Sequence, residues 1–342
     1  MKKYLYKLIV LVALLVPTQE VVSAGVLNKE KHKTFTVEKG HNLNLLLKYS
    51  DVDIVKNSTN EIEIDVTIEL KENKKGEELL EQIEIVFDQS GKDVSVETKF
   101  PKVWKSSNLN IRFTIKMPEY INLNMDLKYG NAYISQLAGT QNTIKMQYGD
   151  IKTDVIASDN NQITLAYVGS ADFGYINKAK CNISYSEINI KEADLIEGES
   201  AYSEFRIQKI NVLNMSMTKY DEWEIQQIVN LNATARYTEF EIGALSKKII
   251  LDANFGELDI EQTNKNFELI QLNTKYTDCE LNIESGASYK LDAKGAYSDI
   301  SYDGDLNGTY HDKSLSVLIS GTIGKSPTGK VVIDTEFGDI EL

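Results

Sequence analysis

Apolar and polar residues alternate in short runs on either side of a recurring aromatic residue. Around Tyr185, the apolar residues are Cys181 and Ile183 before it and Ile188 and Ile190 after it. With the aromatic as position zero, most copies are apolar at −4, −2, +3 and +5. A period of two indicates β-strands that bury one face. The pattern therefore predicts two short strands per copy with a corner between them.

The aromatic residue opens a short phrase, aromatic then small then acidic or amide, that recurs along the chain. Clear copies are Tyr185-Ser186-Glu187, Tyr202-Ser203-Glu204, Tyr220-Asp221-Glu222 and Tyr237-Thr238-Glu239. The twelve aromatic positions are Tyr49, Tyr129, Tyr148, Tyr167, Tyr185, Tyr202, Tyr220, Tyr237, Phe255, Tyr276, Tyr297 and Phe337. From Tyr129 to Tyr297 they lie 17 to 21 residues apart. A fixed period of this size predicts a solenoid in which each repeat forms one coil.

The first part of the chain has a different pattern. Alternation over Ile62–Ile68 and over Leu109–Ile115 predicts half-buried strands, whereas the segment Lys74–Ile83 is typical of a short amphipathic helix. We therefore predict a β-rich N-terminal cap over residues 25–124 that contains one short helix.

The solenoid is predicted to run over residues 125–342. The segment Asp303–Gly308 is polar and glycine-rich and is interpreted as a loop. Tyr297 and Phe337 lie 40 residues apart, so one copy is missing, and it is placed near Ser314–Ile319. The predicted fold class is all-β, a parallel β-solenoid (β-helix-like) of 17- to 21-residue coils with the N-terminal cap.

Stacked coils place equivalent residues above one another at about 4.8 Å. We expect the aromatic residues to form a mostly buried column inside the corner, with carboxylates outside it. Glycine at some corners is expected to provide the unusual backbone conformation. The interior residues at +3 grow to Phe205, Trp223 and Phe240 where those at −4 and −2 become small, which predicts a packed interior of constant volume.

The N-terminal sequence and the composition indicate where the protein is located and what net charge it carries. The first 24 residues have the organisation of a secretory signal peptide, with Lys2, Lys3 and Lys7, the apolar run Leu8–Val16 and a small-residue cleavage site ending at Ala24. The chain has 37 basic and 51 acidic residues, and loss of three lysines and Glu20 leaves 34 and 50, a formal charge of −16. Such acidity disfavours nucleic acid as a partner. No membrane insertion is expected after cleavage.

The two cysteines, Cys181 and Cys279, are predicted to be free thiols. They lie about five coils apart, roughly 24 Å at strand spacing, whereas a disulfide requires α-carbons within about 7 Å.

The candidate chemistry is the column of acidic residues at position +2. It comprises Asp51, Asp150, Glu187, Glu204, Glu222, Glu239, Glu257, Asp278, Asp299 and Asp339. Such a column could hold divalent cations, which prefer clustered oxygen ligands. Turn chemistry on a solvated face is favoured, because calcium-binding repeats carry glycine and aspartate at fixed offsets that are absent here. We therefore assign no catalytic, cofactor-binding or metal-binding residue and no cofactor.

The repeated phrases resemble those of the bacterial putative-adhesin family of unknown function. The residues that carry the resemblance are Tyr49-Ser50-Asp51-Val52, Tyr129-Gly130-Asn131-Ala132, Tyr148-Gly149-Asp150-Ile151 and Phe337-Gly338-Asp339-Ile340. The resemblance implies an exported, non-enzymatic β-solenoid that acts as an adhesin-like binding or structural module of the bacterial cell envelope. It would be periplasmic or at the cell surface, with an envelope protein or a glycan as its partner.

The alternative hypothesis is a polysaccharide lyase or hydrolase of the parallel β-helix type. Such an enzyme requires acidic and basic side chains that converge in a cleft. Only Arg112, Arg206 and Arg236 are present as arginines, and they lie in separate repeats.

Overall fold

The computed structural model describes residues 26–71, 76–101, 109–313 and 315–342, and the predicted signal peptide lies outside them. These residues form one mixed β-sheet of 21 strands and one short helix. No helix in the described ranges is long and apolar enough to span a bilayer.

The N-terminal part combines parallel and antiparallel pairing. Its elements are β1 (Val26–Thr36), β2 (Asn42–Lys48), β3 (Asp51–Asn57), β4 (Glu61–Lys71), α1 (Gly76–Gln82), β5 (Glu84–Ser90), β6 (Asp93–Lys99), β7 (Leu109–Pro118) and β8 (Asn122–Lys128). Strand β4 pairs antiparallel with β1 and β7, while β2 pairs parallel with β6 and β8. The predicted strands over 62–68 and 109–115 and the predicted short helix are all confirmed.

The central part is a continuous parallel run. Its strands are β9 (Ala132–Leu137), β10 (Asn142–Ile156), β11 (Asn161–Ser184), β12 (Glu187–Ala201), β13 (Glu204–Lys219), β14 (Glu222–Thr263) and β15 (Leu269–Ile283). Each strand pairs with the equivalent residues of the next repeat, as Ile144 does with Ile163 and Phe205 with Trp223. The pairing offset therefore equals the repeat period found in the sequence.

The C-terminal part departs from this regular succession. Its strands are β16 (Tyr289–Ala296), β17 (Ile300–Ser301), β18 (Leu306–Lys313), β19 (Ser316–Ile323), β20 (Gly329–Glu336) and β21 (Ile340–Glu341). Strand β20 inserts between β15 and β16 and pairs parallel with both, so the end of the chain lies inside the array.

This arrangement corrects three expectations. An all-β fold with a parallel β-solenoid was predicted; the described residues are almost entirely β, but their strands form one mixed sheet. The missing copy near Ser314–Ile319 is not a parallel repeat, because β19 pairs antiparallel with β16 and with β18. Part of the predicted loop over Asp303–Gly308 belongs to β18, an edge strand that is almost fully exposed. The order of repeats in sequence therefore differs from their order in space.

The interior is apolar and contains its own aromatic stack. Phe205 and Trp223 are buried, with ring centroids 3.7 Å apart, and Phe240 follows Trp223 at 6.0 Å. The indole Nε1 of Trp223 donates a hydrogen bond to the Thr218 hydroxyl at 3.0 Å. The large +3 side chains thus pack beside the small −2 residues, as the sequence predicted. At position −4 of the Tyr220 repeat the prediction is wrong, because Ser216 is exposed and Met215 is buried in its place.

Candidate functional site

The twelve repeat aromatics form one unbroken external column, which we call the aromatic strip. Its order in space is Tyr49, Tyr129, Tyr148, Tyr167, Tyr185, Tyr202, Tyr220, Tyr237, Phe255, Tyr276, Phe337 and Tyr297. Adjacent ring centroids lie 4.8 to 5.1 Å apart, and their planes differ by 2° to 13°. Phe100 packs edge-on against Tyr49 at 5.4 Å. The strip is therefore about 50 Å long at strand spacing.

The prediction that these rings are mostly buried is wrong. Their residues are 37% to 55% exposed, while the small residue at +1 is buried at several copies, for example Ser186 and Thr238. The chain turns on the N-terminal side of the aromatic, so positions −1 and zero both point outward and +1 points inward. The sequence did contain a signal for this. Ten buried tyrosine hydroxyls would each need a hydrogen-bond partner, and the repeat supplies none.

The turn is made by the aromatic residue itself. All twelve have φ between +51° and +60°, the left-handed region that bulky side chains rarely occupy. This corrects the assignment of the unusual backbone to glycine at +1, where only Gly149, with φ of +151°, has a positive φ as well. Glycine there serves close approach, since a Cβ on Gly130 would lie 1.9 Å from the carbonyl oxygen of Ser50. Because the left-handed conformation costs about 1–2 kcal/mol per residue, the strip is held at a local energetic cost.

Buried hydroxyls at position +1 tie neighbouring repeats together beneath the strip. Ser186 Oγ donates to the carbonyl of Ser184 at 2.8 Å and accepts the N–H of Val168 at 3.1 Å. Ser203 Oγ accepts the N–H of Ser186 at 3.2 Å in the same manner. Each such side chain satisfies a backbone donor that the corner withdraws from the strand ladder.

Asp221 occupies this +1 position in one repeat and is only 3% exposed. Its Oδ1 accepts the N–H of Ser203 at 2.8 Å, and its Oδ2 accepts from Ser200 Oγ at 2.6 Å and from the N–H of Lys219 at 3.0 Å. The Thr218 hydroxyl also donates to Oδ2. Burial raises the pKa of Asp221, and these hydrogen bonds oppose the rise.

The acidic residues at +2 lie beside the strip, and the two acidic residue types behave differently. Asp51 Oδ1 accepts the N–H of Asn131 at 3.0 Å, and Asp278 Oδ1 accepts the N–H of Asp339 at 2.9 Å. In repeats with glutamate at +2, a backbone carbonyl accepts the corresponding N–H instead. The carbonyl of Ser203, for example, accepts the N–H of Glu222 at 3.1 Å. The short aspartates thus serve turn chemistry. The glutamate side chains are not needed for it, and Glu187 and Glu204 pair with Arg206 instead. No cluster that could hold a metal ion occurs among the described residues.

A shallow groove of about 510 Å³ runs between the strip and the carboxylates in the middle of the array. The rings of Tyr185, Tyr202, Tyr220 and Tyr237 form one side. Its other side is acidic and is lined by Glu187, Glu204, Glu222 and Glu239. Since each ring covers the face of its neighbour, the groove presents ring edges, hydroxyls and carboxylates.

A second groove, of about 420 Å³, lies on the neighbouring strand wall. Its lining includes Lys152, Asp172, Lys191, Arg206 and Glu224. Arg206 donates to Glu187 at 2.6 Å and pairs with Glu204, and the hydrogen bond to Glu187 is the main cause that raises its pKa. Acidic and basic side chains therefore do converge here, which the sequence alone did not indicate.

The two cysteines lie inside the array, away from both grooves. Cys181 and Cys279 are free thiols, 6% and 3% exposed. Burial raises the pKa of each thiol to about 12. Both are therefore interior packing groups, as the pattern predicted.

No family model and no curated protein matches the chain. Among solved structures it is similar to a putative cell adhesion protein from Clostridium sporogenes ATCC 15579, at 11% identity and a TM-score of 0.21, over 92% of this chain and 98% of that one. A putative adhesin from Parabacteroides distasonis ATCC 8503 gives 11% and 0.32, over 75% and 93%.

A putative lipid binding protein from the same organism gives 12% identity and a TM-score of 0.34, over 74% of this chain and 92% of that one. At this level of similarity, the function has to be argued from the strip and the grooves themselves.

Proposed function

We propose that the chain is an exported, non-enzymatic β-solenoid that serves as an adhesin-like binding or structural module of the bacterial cell envelope. Residues 125–342 would form the solenoid and residues 25–124 its cap. The parallel run from β9 to β15, with pairing offsets equal to the repeat period, supports coils of a solenoid. The antiparallel strands at either end are expected to close it.

The observation that carries the proposal is the aromatic strip. Twelve large side chains are held half-exposed on left-handed backbone, at a cost that the interior does not require. A continuous apolar strip rimmed by charged residues is typical of an interaction surface. Tyrosine is suited to such a surface, because it offers a rigid ring and a hydroxyl at low entropic cost.

The chemistry of the groove limits the partner. Ring faces are covered by neighbouring rings, and Phe100 packs against Tyr49 at one end of the column. Flat stacking of a sugar is therefore restricted to the end at Tyr297. Along its length, the strip offers ring edges, hydroxyls and glutamates, which fit an elongated envelope protein or glycan that runs parallel to the column. A whole-chain charge of −14 disfavours nucleic acid.

Export is tested by fractionation of producing cells. The signal-like residues Lys2, Lys3, Lys7 and Leu8–Val16 lead us to expect a processed chain that begins at Gly25 in the periplasm or at the surface. Full-length, unprocessed protein confined to the cytoplasm would contradict this part of the proposal.

Binding is tested by co-sedimentation with insoluble cell-wall glycan and with washed envelope protein. The variant Tyr185→Asn/Tyr202→Asn/Tyr220→Asn should lose binding at least tenfold and keep its circular dichroism spectrum, because asparagine tolerates the left-handed conformation. Tyr310→Asn is the matched control, since Tyr310 is 51% exposed but lies outside the strip. Equal binding by the triple variant and the control would refute the strip as the binding surface.

The second groove keeps one alternative open, a polysaccharide lyase or hydrolase. Lys152, Lys191 and Arg206 line it together with Asp172 and Glu224, a mixed set that acid-base chemistry on a sugar would need. Purified protein incubated with envelope polysaccharides should release no reducing ends and no unsaturated uronic acid. Release that disappears in Arg206→Ala, and persists in the strip variant, would favour the enzyme.

A further inference from the structure

We propose that the aromatic strip joins two copies of this chain, strip against strip, around a two-fold axis parallel to the column. The inference builds on the proposed role of the strip as the binding surface and identifies one occupant of it. The groove beside the strip would be enclosed at the contact, and the second groove would be present once in each copy.

The exposed area is large enough for a stable dimer. An aromatic side chain contributes about 150–250 Å², and the twelve rings are 37% to 55% exposed. The strip therefore offers about 1,000 Å² per copy, whereas a standard interface buries about 800 Å² per partner. Patches of this size are unusual on a monomer.

The strip is also regular enough to meet its own copy. The ring spacing stays between 4.8 and 5.1 Å over all twelve rungs, and neighbouring ring planes never differ by more than 13°. Two such columns can meet ring edge to ring edge at every rung, because the two-fold axis sets equivalent rungs at the same height and identical side-chain columns can pack between paired sheets.

Charge decides between the two possible orientations. Every rung crosses the strip in the same direction, so position −1 lies on one flank and the acidic position +2 on the other. A two-fold axis parallel to the column brings the −1 flank of one copy against the +2 flank of its partner at the same rung. Four rungs oppose opposite charges, namely Lys48 with Asp51, Lys219 with Glu222, Arg236 with Glu239 and Lys275 with Asp278. One rung, Glu336 with Asp339, opposes like charges. An antiparallel arrangement would place carboxylates against carboxylates, which is unfavourable.

Some of these charges already form ion pairs within one copy. Arg236 pairs with Asp252, and Lys275 with Glu336. In the described part of the chain, Lys219 and Glu222 have no intrachain ion pair, so they are the best placed to act between copies.

The first test is mass in solution, measured by sedimentation equilibrium on residues 25–342. The wild type and Tyr310→Asn should have twice the chain mass, and Tyr185→Asn/Tyr202→Asn/Tyr220→Asn should raise the dimer dissociation constant at least tenfold while keeping its circular dichroism spectrum. Tyr202→Lys, a single charge on the strip, gives the same test if the triple variant unfolds. A monomeric wild type, or a dimer indifferent to these variants, would overturn the inference.

The second test fixes the orientation. Lys219→Glu and Glu222→Lys should each weaken the homodimer several-fold, and an equimolar mixture should restore a heterodimer, because the two reversed charges face each other only at the same rung. A mixture no tighter than either variant alone would rule out parallel columns. A monomeric wild type whose strip variants still lose envelope binding would refute the dimer and leave the proposed function standing.

Discussion

The same three rungs of this protein carry two aromatic columns with opposite roles. Phe205, Trp223 and Phe240 are stacked in the interior and are at most 2% exposed. Three residues before each of them lies a tyrosine of the strip, stacked at 4.8 to 4.9 Å but 49% exposed. Stacking geometry alone therefore says little about what a ring contributes. The interior rings remove apolar surface from water, whereas the strip rings leave about half of theirs exposed and strain the backbone.

The largest expected effect is in the interior column. Trp223→Ala should lower the free energy of unfolding by about 3–5 kcal/mol, because a large buried ring leaves a cavity and the Thr218 hydroxyl loses its indole partner. Urea unfolding followed by far-ultraviolet circular dichroism measures the loss. Tyr220→Ala, at position zero of the same rung, is the matched control and should cost much less. Equal losses would mean that the two columns do not differ as described.

An intermediate effect is expected at Asp221, beneath the strip. Asp221→Asn would place an amide nitrogen against the N–H of Lys219 and the hydroxyl of Ser200, which now donate to Oδ2. Loss of these hydrogen bonds should cost about 1–3 kcal/mol at neutral pH. Urea unfolding midpoints at pH 7 measure this loss of stability. Ser203→Ala is the control, because it removes a +1 hydroxyl but no charge.

The same substitution should also change the pH dependence of stability. Because the pKa of Asp221 is raised in the folded state, the folded protein binds this proton more readily than the unfolded chain. Its contribution is therefore fully present below the ordinary aspartate value of about 3.9 and is lost as pH rises through the folded pKa. The stability difference between wild type and Asp221→Asn should grow as pH falls through that window. A difference that shrinks there would contradict a raised pKa.

The contrast between the columns also explains what could be predicted from the sequence. Repeat length, strand positions, inward +3 and +5 residues and buried cysteines all follow from periodicity, which is a local property. Periodicity does not show whether the aromatic side chain points inward or outward. The alternation on both sides of position zero fits a change of register either before or after the aromatic. The decisive feature, φ near +55° at tyrosine, is one that residue preferences argue against.

The order of the strands in space could not be predicted from the sequence, for a different reason. The insertion of β20 between β15 and β16 places Phe337 between Tyr276 and Tyr297. The repeat motifs in this region were identified correctly from the sequence. Only the order in which they stack in space differs from their order along the chain. The second groove was missed likewise, because Lys152, Lys191 and Arg206 belong to different repeats and meet only through stacking.

The smallest expected effect is on the strip, and it tests the contrast most directly. In Tyr202→Asn, two stacking pairs are lost, at about 0.5–1.5 kcal/mol each, and relief of left-handed strain, about 1–2 kcal/mol, offsets most of this loss. We therefore expect a change in the free energy of unfolding of less than about 1 kcal/mol. Tyr202→Val loses the stacking but keeps the strain, since a β-branched residue tolerates positive φ poorly. It should be the less stable of the two by at least about 1 kcal/mol.

Urea unfolding midpoints of wild type, Tyr202→Asn and Tyr202→Val test this ranking. The protein concentration is kept below the dimer dissociation constant, so that association does not contribute to stability. Tyr310→Asn and Tyr310→Val, on the exposed strand β18, show how the same pair of residues ranks on ordinary strand backbone, where valine is preferred. Reversal of the ranking between positions 202 and 310 is the expected result. The same ranking at both positions would mean that Tyr202 carries no left-handed strain, and the strip would then be an ordinary consequence of strand packing rather than a surface maintained at a cost for binding.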